Sequence, residues 1–180
     1  MVQPNTDIFT PNHLINGNQW GWLTEYGRLV NVKNINGEWW RLITVIFLHS
    51  GVVHLITNSI AIYIIGRHME KRINKISFIS IFMICGLISS CFTMFVTNGA
   101  VGASGAIYGL IGSYIVLMIK RGEYILRDFK IIEIILLIAY LILPNLSGIV
   151  TIIAHLSGFV CGIICSLILD KIKTKNEILK

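Results

Sequence analysis

Charge is scarce in this sequence. Of 180 residues only 13% are Asp, Glu, Lys or Arg, and just nine are acidic. An average soluble domain carries about twice that charged share, so an ordinary water-facing surface is excluded. Phosphate-binding signatures are missing as well. There is no G-x-x-x-x-G-K-[ST] segment and no dinucleotide-type glycine run behind a strand, which leaves nucleotide use without support. The four cysteines, Cys85, Cys91, Cys161 and Cys165, show neither C-x-x-C nor His/Cys zinc spacing. All fall inside apolar runs, where they read as small hydrophobes and not as a disulfide framework. No metal or organic cofactor is implied. Low-complexity tracts and clear internal repeats are also absent, so the chain reads as one membrane domain.

What is abundant is apolar surface: 54% of the residues, with a mean hydropathy of +0.73. Runs of helical length at 52–68, 76–97, 103–119, 131–146 and 149–169 predict an all-α polytopic membrane protein with five spans. Several runs hold only about 16 residues, roughly 24 Å of helix, so some ends are expected below the membrane surface. The run 42–48 (LITVIFL) is cut short by His49, Ser50 and Gly51 and reads as a half-buried element of the outer interface. A continuous span from Leu42 to Ile65 is the second option.

A net charge of +6 could point to nucleic acid, but the basic residues are distributed by loop. Arg67, Lys71, Arg72 and Lys75 fill the first loop between spans, Lys120, Arg121, Arg127 and Lys130 the third, and Lys171, Lys173, Lys175 and Lys180 the tail. Together they are 12 of the 15 Lys and Arg. The second loop (TNGA) and the fourth (PNLSG) have none. This asymmetry sets the basic loops and the C-terminus in the cytoplasm of a multi-pass protein, with the cell membrane as its expected location. The expected partners are the lipid bilayer and no nucleic acid. Residues 1–41 are then an extracellular and interfacial loop region, 42–170 the membrane domain and 171–180 a basic cytoplasmic tail. Residues 1–41 hold no apolar run long enough for a span or a signal segment. An apolar stretch of about 20 residues upstream of Met1 is therefore expected.

Strongly polar side chains are costly inside spans and by default face a water-filled cavity or a partner helix. His54 and Asn58, four residues apart, share one face of the run 52–68 near its outer end. Ser104 stands at the outer tip of 103–119, with Tyr108 one turn below it. His155 lies roughly 9 Å below the start of the last run. All but His155 have a plain packing reading. Ser104 among Gly102, Ala103, Gly105 and Gly109 suits a close helix crossing, His54 with Asn58 an interhelical hydrogen-bonded pair, and Tyr108 a core aromatic. Gly158 and Gly162 would let the helix of His155 press closely on a neighbour.

The combination supplies every role needed for acyl transfer. Ser104 is a nucleophile, and the neutral imidazole of His155 is a base suited to take its proton. Donors for a tetrahedral oxyanion come from the Asn58 amide, the His54 ring and the Ser104 backbone N–H at a helix start. No Asp or Glu is available at that depth. A Ser/His dyad is predicted, with His155 held by packing on Tyr108 and not by a carboxylate.

The segments EWWRLITVIFLHSGVVHLITN, GRHMEKR, GASGAIYGLIG and AHLSGFVCG, in that order over about residues 23–169, resemble the rhomboid family of intramembrane serine proteases. The resemblance implies a rhomboid-like helical bundle, here with the family's first helix missing. It implies Ser104 as nucleophile, His155 as base, and His54 and Asn58 along the oxyanion hole. Trp40 and Arg41 would belong to a first extracellular loop lying partly in the membrane. Tyr108 would stack beneath His155, and Glu70 would help tie the inner end of the second helix. The acidic residue that often precedes the last-helix histidine is replaced by Thr151, Ile152 and Ile153. The expected activity is a serine endopeptidase that cuts membrane proteins near the outer face, at transmembrane segments that unwind easily. A catalytically silent rhomboid-like protein that binds client helices is the alternative. A transporter is disfavoured, because the polar groups gather near one face and not at the midplane.

Overall fold

The structure is a computed structural model that describes the backbone of residues 20–178 and the side chains of residues 21–169. Residues 1–19 of the expected outer loop region and the side chains of the expected basic tail lie outside the described residues. Among the described residues two short α-helices come first, α1 (Trp20–Glu25) and α2 (Arg41–Thr44), with a 3-10 turn at Val32–Asn34 between them. Five longer ones follow: α3 (Val52–Met69), α4 (Lys75–Thr93), α5 (Ser104–Arg121), α6 (Ile131–Ile142) and α7 (Ile149–Ile178). Extended pairing among the described residues is limited to one bridge, Leu29 with Ala100.

Helix α5 is the axis of the bundle. Every residue from Gly105 to Tyr114 is buried, and α3, α4 and α7 pack around it. Its contact with α7 is the closest. A Cβ on Gly158 would strike the carbonyl oxygen of Gly105, and one on Gly162 that of Gly109, so small residues four apart bring the two backbones together. Hydroxyls fasten α7 to both α5 and α4. Ser113 and Ser166 meet Oγ to Oγ at 2.5 Å, and Ser89 of α4 donates to the Ala154 carbonyl at 2.7 Å. Bonds of this kind average about 0.6 kcal/mol in lipid, so the close backbone contact repeated over two turns does more to fix the register.

The bundle is inside-out in polarity. Ser89, Ser90, Ser113, Ser166, Glu133, His68 and His155 are buried, whereas Ile76, Ile79, Ile131, Ile135, Leu156 and Ile164 are exposed. An apolar exterior around a polar interior is stable only against lipid or a covering partner. By length and composition α4 and the Ile149–Leu169 part of α7 can each cross a membrane, and Ile131–Ser147 is a shorter apolar helix.

Several expected boundaries are corrected. Helix α4 ends at Thr93 and not near 97, because the chain beyond it turns to meet the outer segment: Val32 N–H donates to Met94 O at 2.9 Å and Asn31 Nδ2 to Thr97 O at 3.1 Å. The run expected as one helix over 131–146 is α-helical only to Ile142, after which Leu143–Ser147 is a 3-10 turn with Pro144 in its first turn. Proline has no N–H to continue the α-helical ladder. Helix α7 runs on to Ile178, so the expected tail from 171 continues a helix. The element at 42–48 is the short helix α2 with a following turn: Leu42, Val45 and Ile46 point inward, Ile43 and Phe47 outward.

Arg41 frames the outer loop. Its guanidinium is buried, donates to Thr24 O at 2.7 Å and Arg28 O at 3.1 Å, pairs with Glu38 at 2.8 Å and lies 4.7 Å over the Trp40 ring. Two backbone links then join this loop to the turn ahead of α5. Leu29 and Ala100 exchange N–H to O bonds of 2.9 and 3.0 Å, and Gly102 N–H donates to Val45 O at 2.9 Å.

At the opposite end the expected tie through Glu70 is not found, for Glu70 is exposed. The acid that serves there is Glu133, which pairs with Arg67 at 3.0 Å and His68 at 3.4 Å and also caps α6 by accepting from Lys130 N–H at 3.0 Å. Arg72 adds bonds to Glu123 at 2.9 Å and Asp128 at 2.6 Å.

Candidate active site

The N-terminal ends of α3, α5 and α7 surround a cavity of about 790 Å³, with Ser50, His54, Thr97, Ser104, Thr151 and His155 on its wall. Three of the residues singled out by sequence, from three helices, therefore face one space. Among the described residues no Asp or Glu lines it.

Ser104 is the first residue of α5 and is partly exposed. Its backbone N–H belongs to the first helical turn, where amides lack an intrahelical acceptor. The turn that presents it depends on Gly102, whose φ of +128° is reached readily only by glycine. A side chain there would also collide with His54, at 2.7 Å from Cε1 and 2.8 Å from Nε2. The missing Cβ thus lets the His54 ring lie against the serine turn. Ser50 Oγ holds the other side of that ring, 3.1 Å from Nδ1, and His49 packs on it edge-on at 5.1 Å. His49 lies outside the spanning segments, and burial lowers its proton affinity below the ordinary imidazole value. Gly105 is fixed by packing: a Cβ there would strike Ser89 and approach Ala154 O at 3.2 Å.

Asn58, one turn below His54, is buried. Its Oδ1 accepts from the Tyr140 hydroxyl at 2.6 Å. Its Nδ2 has no partner among the described residues and would stand 3.8 Å from a Cβ on Gly102. A buried amide donor without an acceptor is costly, roughly 1–3 kcal/mol, and asks for a use. This one is aimed toward the Gly102–Ser104 turn.

His155 is buried on α7. Its ring stacks on Tyr108 with 3.9 Å between centroids and 9° between planes. The Tyr108 hydroxyl donates to Tyr140 O at 3.2 Å and Leu141 O at 3.0 Å, carbonyls at the end of α6. The ring edge is held as well, since His155 Nδ1 lies 2.8 Å from Asn145 Oδ1.

Trp40 and Arg41 stand apart from this cavity in the outer loop, and Glu70 lies at the other end of α3. Sequence reasoning missed Tyr140 and Asn145. Each acts across elements, and the sole signal for Asn145 was its place beside Pro144 in a short loop ten residues before His155. One thiol cluster, Cys85, Cys161 and Cys165, brings its sulfurs within 4.8 Å of one another, but none of the three lines the cavity.

The Rhomboid domain model matches residues 36–172. Rhomboid protein YdcA of Bacillus subtilis is 36% identical over 140 residues, which span 76% of this chain and 70% of that protein. Rhomboid protease GluP of the same organism is 33% identical over 106 residues, 58% of this chain and 21% of GluP. RHOMBOID-like protein 4 of Arabidopsis thaliana is 32% identical over 157 residues, 82% of this chain and 38% of that protein. The chain thus matches most of YdcA but well under half of the other two.

Proposed function

The chain belongs to the rhomboid family of integral membrane proteins, and from that premise we propose that it is an intramembrane serine endopeptidase working through Ser104 and His155. The observation that carries the reading is the cavity shared by a partly exposed serine at a helix start and a stacked, edge-bonded histidine, with the buried, unpaired Asn58 amide donor behind the Gly102 turn. His155 Nε2 takes the Ser104 proton as Oγ attacks a substrate carbonyl. Asn58 Nδ2, the His54 ring and the Ser104 backbone N–H receive the oxyanion. His155 then returns the proton to the departing amide nitrogen, which leaves an acyl-serine that water, activated by the same imidazole, hydrolyses. Side chains and water suffice for each step.

Five spans, α3 to α7, carry the site, with the N-terminal region outside and the C-terminus in the cytoplasm. Substrates are membrane proteins whose segments unwind near the outer surface, because a helix shields its carbonyls until helix-breaking residues free them. The test is labelling of the detergent-solubilised protein by a serine-reactive phosphonate. The wild type takes up the probe, and Ser104→Ala and His155→Ala do not. Labelling that survives in Ser104→Ala would remove the proposal.

A further inference from the structure

We infer that Asn145 is a positioning residue, an amide that holds His155 in the one neutral tautomer able to act as a base; the inference rests on the Ser104/His155 reading above. The two ends of an Asn amide must be told apart by their partners. Here one end lies 2.7 Å from Leu141 O and 3.0 Å from the Tyr108 hydroxyl. A carbonyl oxygen can only accept, so that end is the NH2. The other end is then the oxygen, 2.8 Å from His155 Nδ1. An amide oxygen also only accepts, so Nδ1 carries the hydrogen. A neutral imidazole has one such hydrogen, and its lone pair is therefore on Nε2. That is the atom left to take a proton from Ser104.

The backbone explains why the amide sits there. In an unbroken helix Tyr140 O would accept from the N–H of residue 144, which is proline and has none. The chain leaves the α-helix at Ile142, and the following turn folds the Asn145 side chain back onto the end of α6. The Tyr108 hydroxyl takes up Tyr140 O, and Asn145 and Tyr108 share Leu141 O. Face and edge of the imidazole are thus fixed by two side chains bonded to each other. Pro144 and Asn145 act as one device. The amide fulfils the orienting part of a triad's third member without supplying a negative charge.

The experiment compares Asn145→Ala, Asn145→Leu and Asn145→Asp in proteoliposomes on a model single-span substrate, alongside the phosphonate probe. Ala and Leu remove the acceptor, and kcat is expected to fall about 10- to 100-fold with KM within about twofold of wild type. Asp keeps an acceptor for Nδ1–H while losing the donor to Leu141 O, and is expected to hold kcat within about fivefold. Wild-type kcat in the Leu variant, or an Asp variant as slow as Leu, overturns the inference. If Ala proves unstable, the Leu and Asp pair still decides, since the two fill similar space and differ in the accepting group. Failure of the wild type to take the probe would sink the underlying reading. A labelled wild type with equally fast labelling of all three variants would sink the Asn145 role alone.

Discussion

Asn58 shows how much of a site a single side chain can reveal. Its oxygen is satisfied by Tyr140 while its nitrogen is not, an imbalance that packing alone does not explain. If the nitrogen receives the oxyanion, Asn58→Ala lowers kcat on the order of 10² to 10³, as loss of one preorganised donor does elsewhere. Tyr140→Phe keeps the ring but frees the amide to rotate, and a smaller loss of about tenfold in kcat is expected, with KM little changed. Equal kcat in Tyr140→Phe and wild type would show that the hydroxyl does not orient the amide. The residues legible in the sequence were those whose helical spacing set them on a common face, such as His54 with Asn58 and Ser104 with Tyr108. Tyr140 and Asn145 were not legible, because an apolar helix tyrosine and a loop asparagine look ordinary until the fold carries them to their partners.

Among the elements, helix starts could be read more closely than helix ends. Apolar runs gave the cores of α3 to α7, but where each stopped depended on partners outside the run. The outer segment draws the chain away after Thr93, and Pro144 converts the end of α6 into a turn. At the inner end of α3 the tie that the family resemblance implies for Glu70 falls instead to Glu133, which arrives from another helix. The loop between α5 and α6 is joined to that end by Arg72, whose hydrogen bond holds the Asp128 carboxyl below the usual carboxylate range. A lowered folded pKa means that this contribution is complete above the unfolded value of about 3.9 and is lost as pH falls through the lower folded value. Asp128 is exposed, so the effect is local and modest. Cleavage of residues 122–130 by an acid-active protease is expected to rise below about pH 4 in the wild type, and Asp128→Asn should already be cut readily at higher pH. A wild type and a variant with the same pH dependence would show that this pair does not hold the loop.

For the molecule as a whole, the inside-out polarity and the charged loops answer different questions. The exterior of isoleucines fits a bundle surrounded by lipid, while the proposed orientation rests on the lysines and arginines of the loops. A cysteine placed at Asn98 is expected to react with a membrane-impermeant thiol reagent added outside intact cells. One placed at Glu123 should react only after permeabilisation, and the reverse pattern would put Ser104 and His155 near the cytoplasmic face.

The joint between the outer loop and the turn ahead of α5 has a consequence best put in terms of isotope exchange. The amide hydrogens of Leu29, Val32, Ala100 and Gly102 are each held by a carbonyl from a distant stretch of chain. None of them belongs to a helix that would protect it on its own. Their protection against deuterium is therefore expected to be collective, with Leu29, Ala100 and Gly102 sharing one opening free energy, that of the loop lifting away from the serine turn. Protection measured at Leu29, which is bonded to Ala100 on the cavity wall, then reports the opening of the structure that presents Ser104.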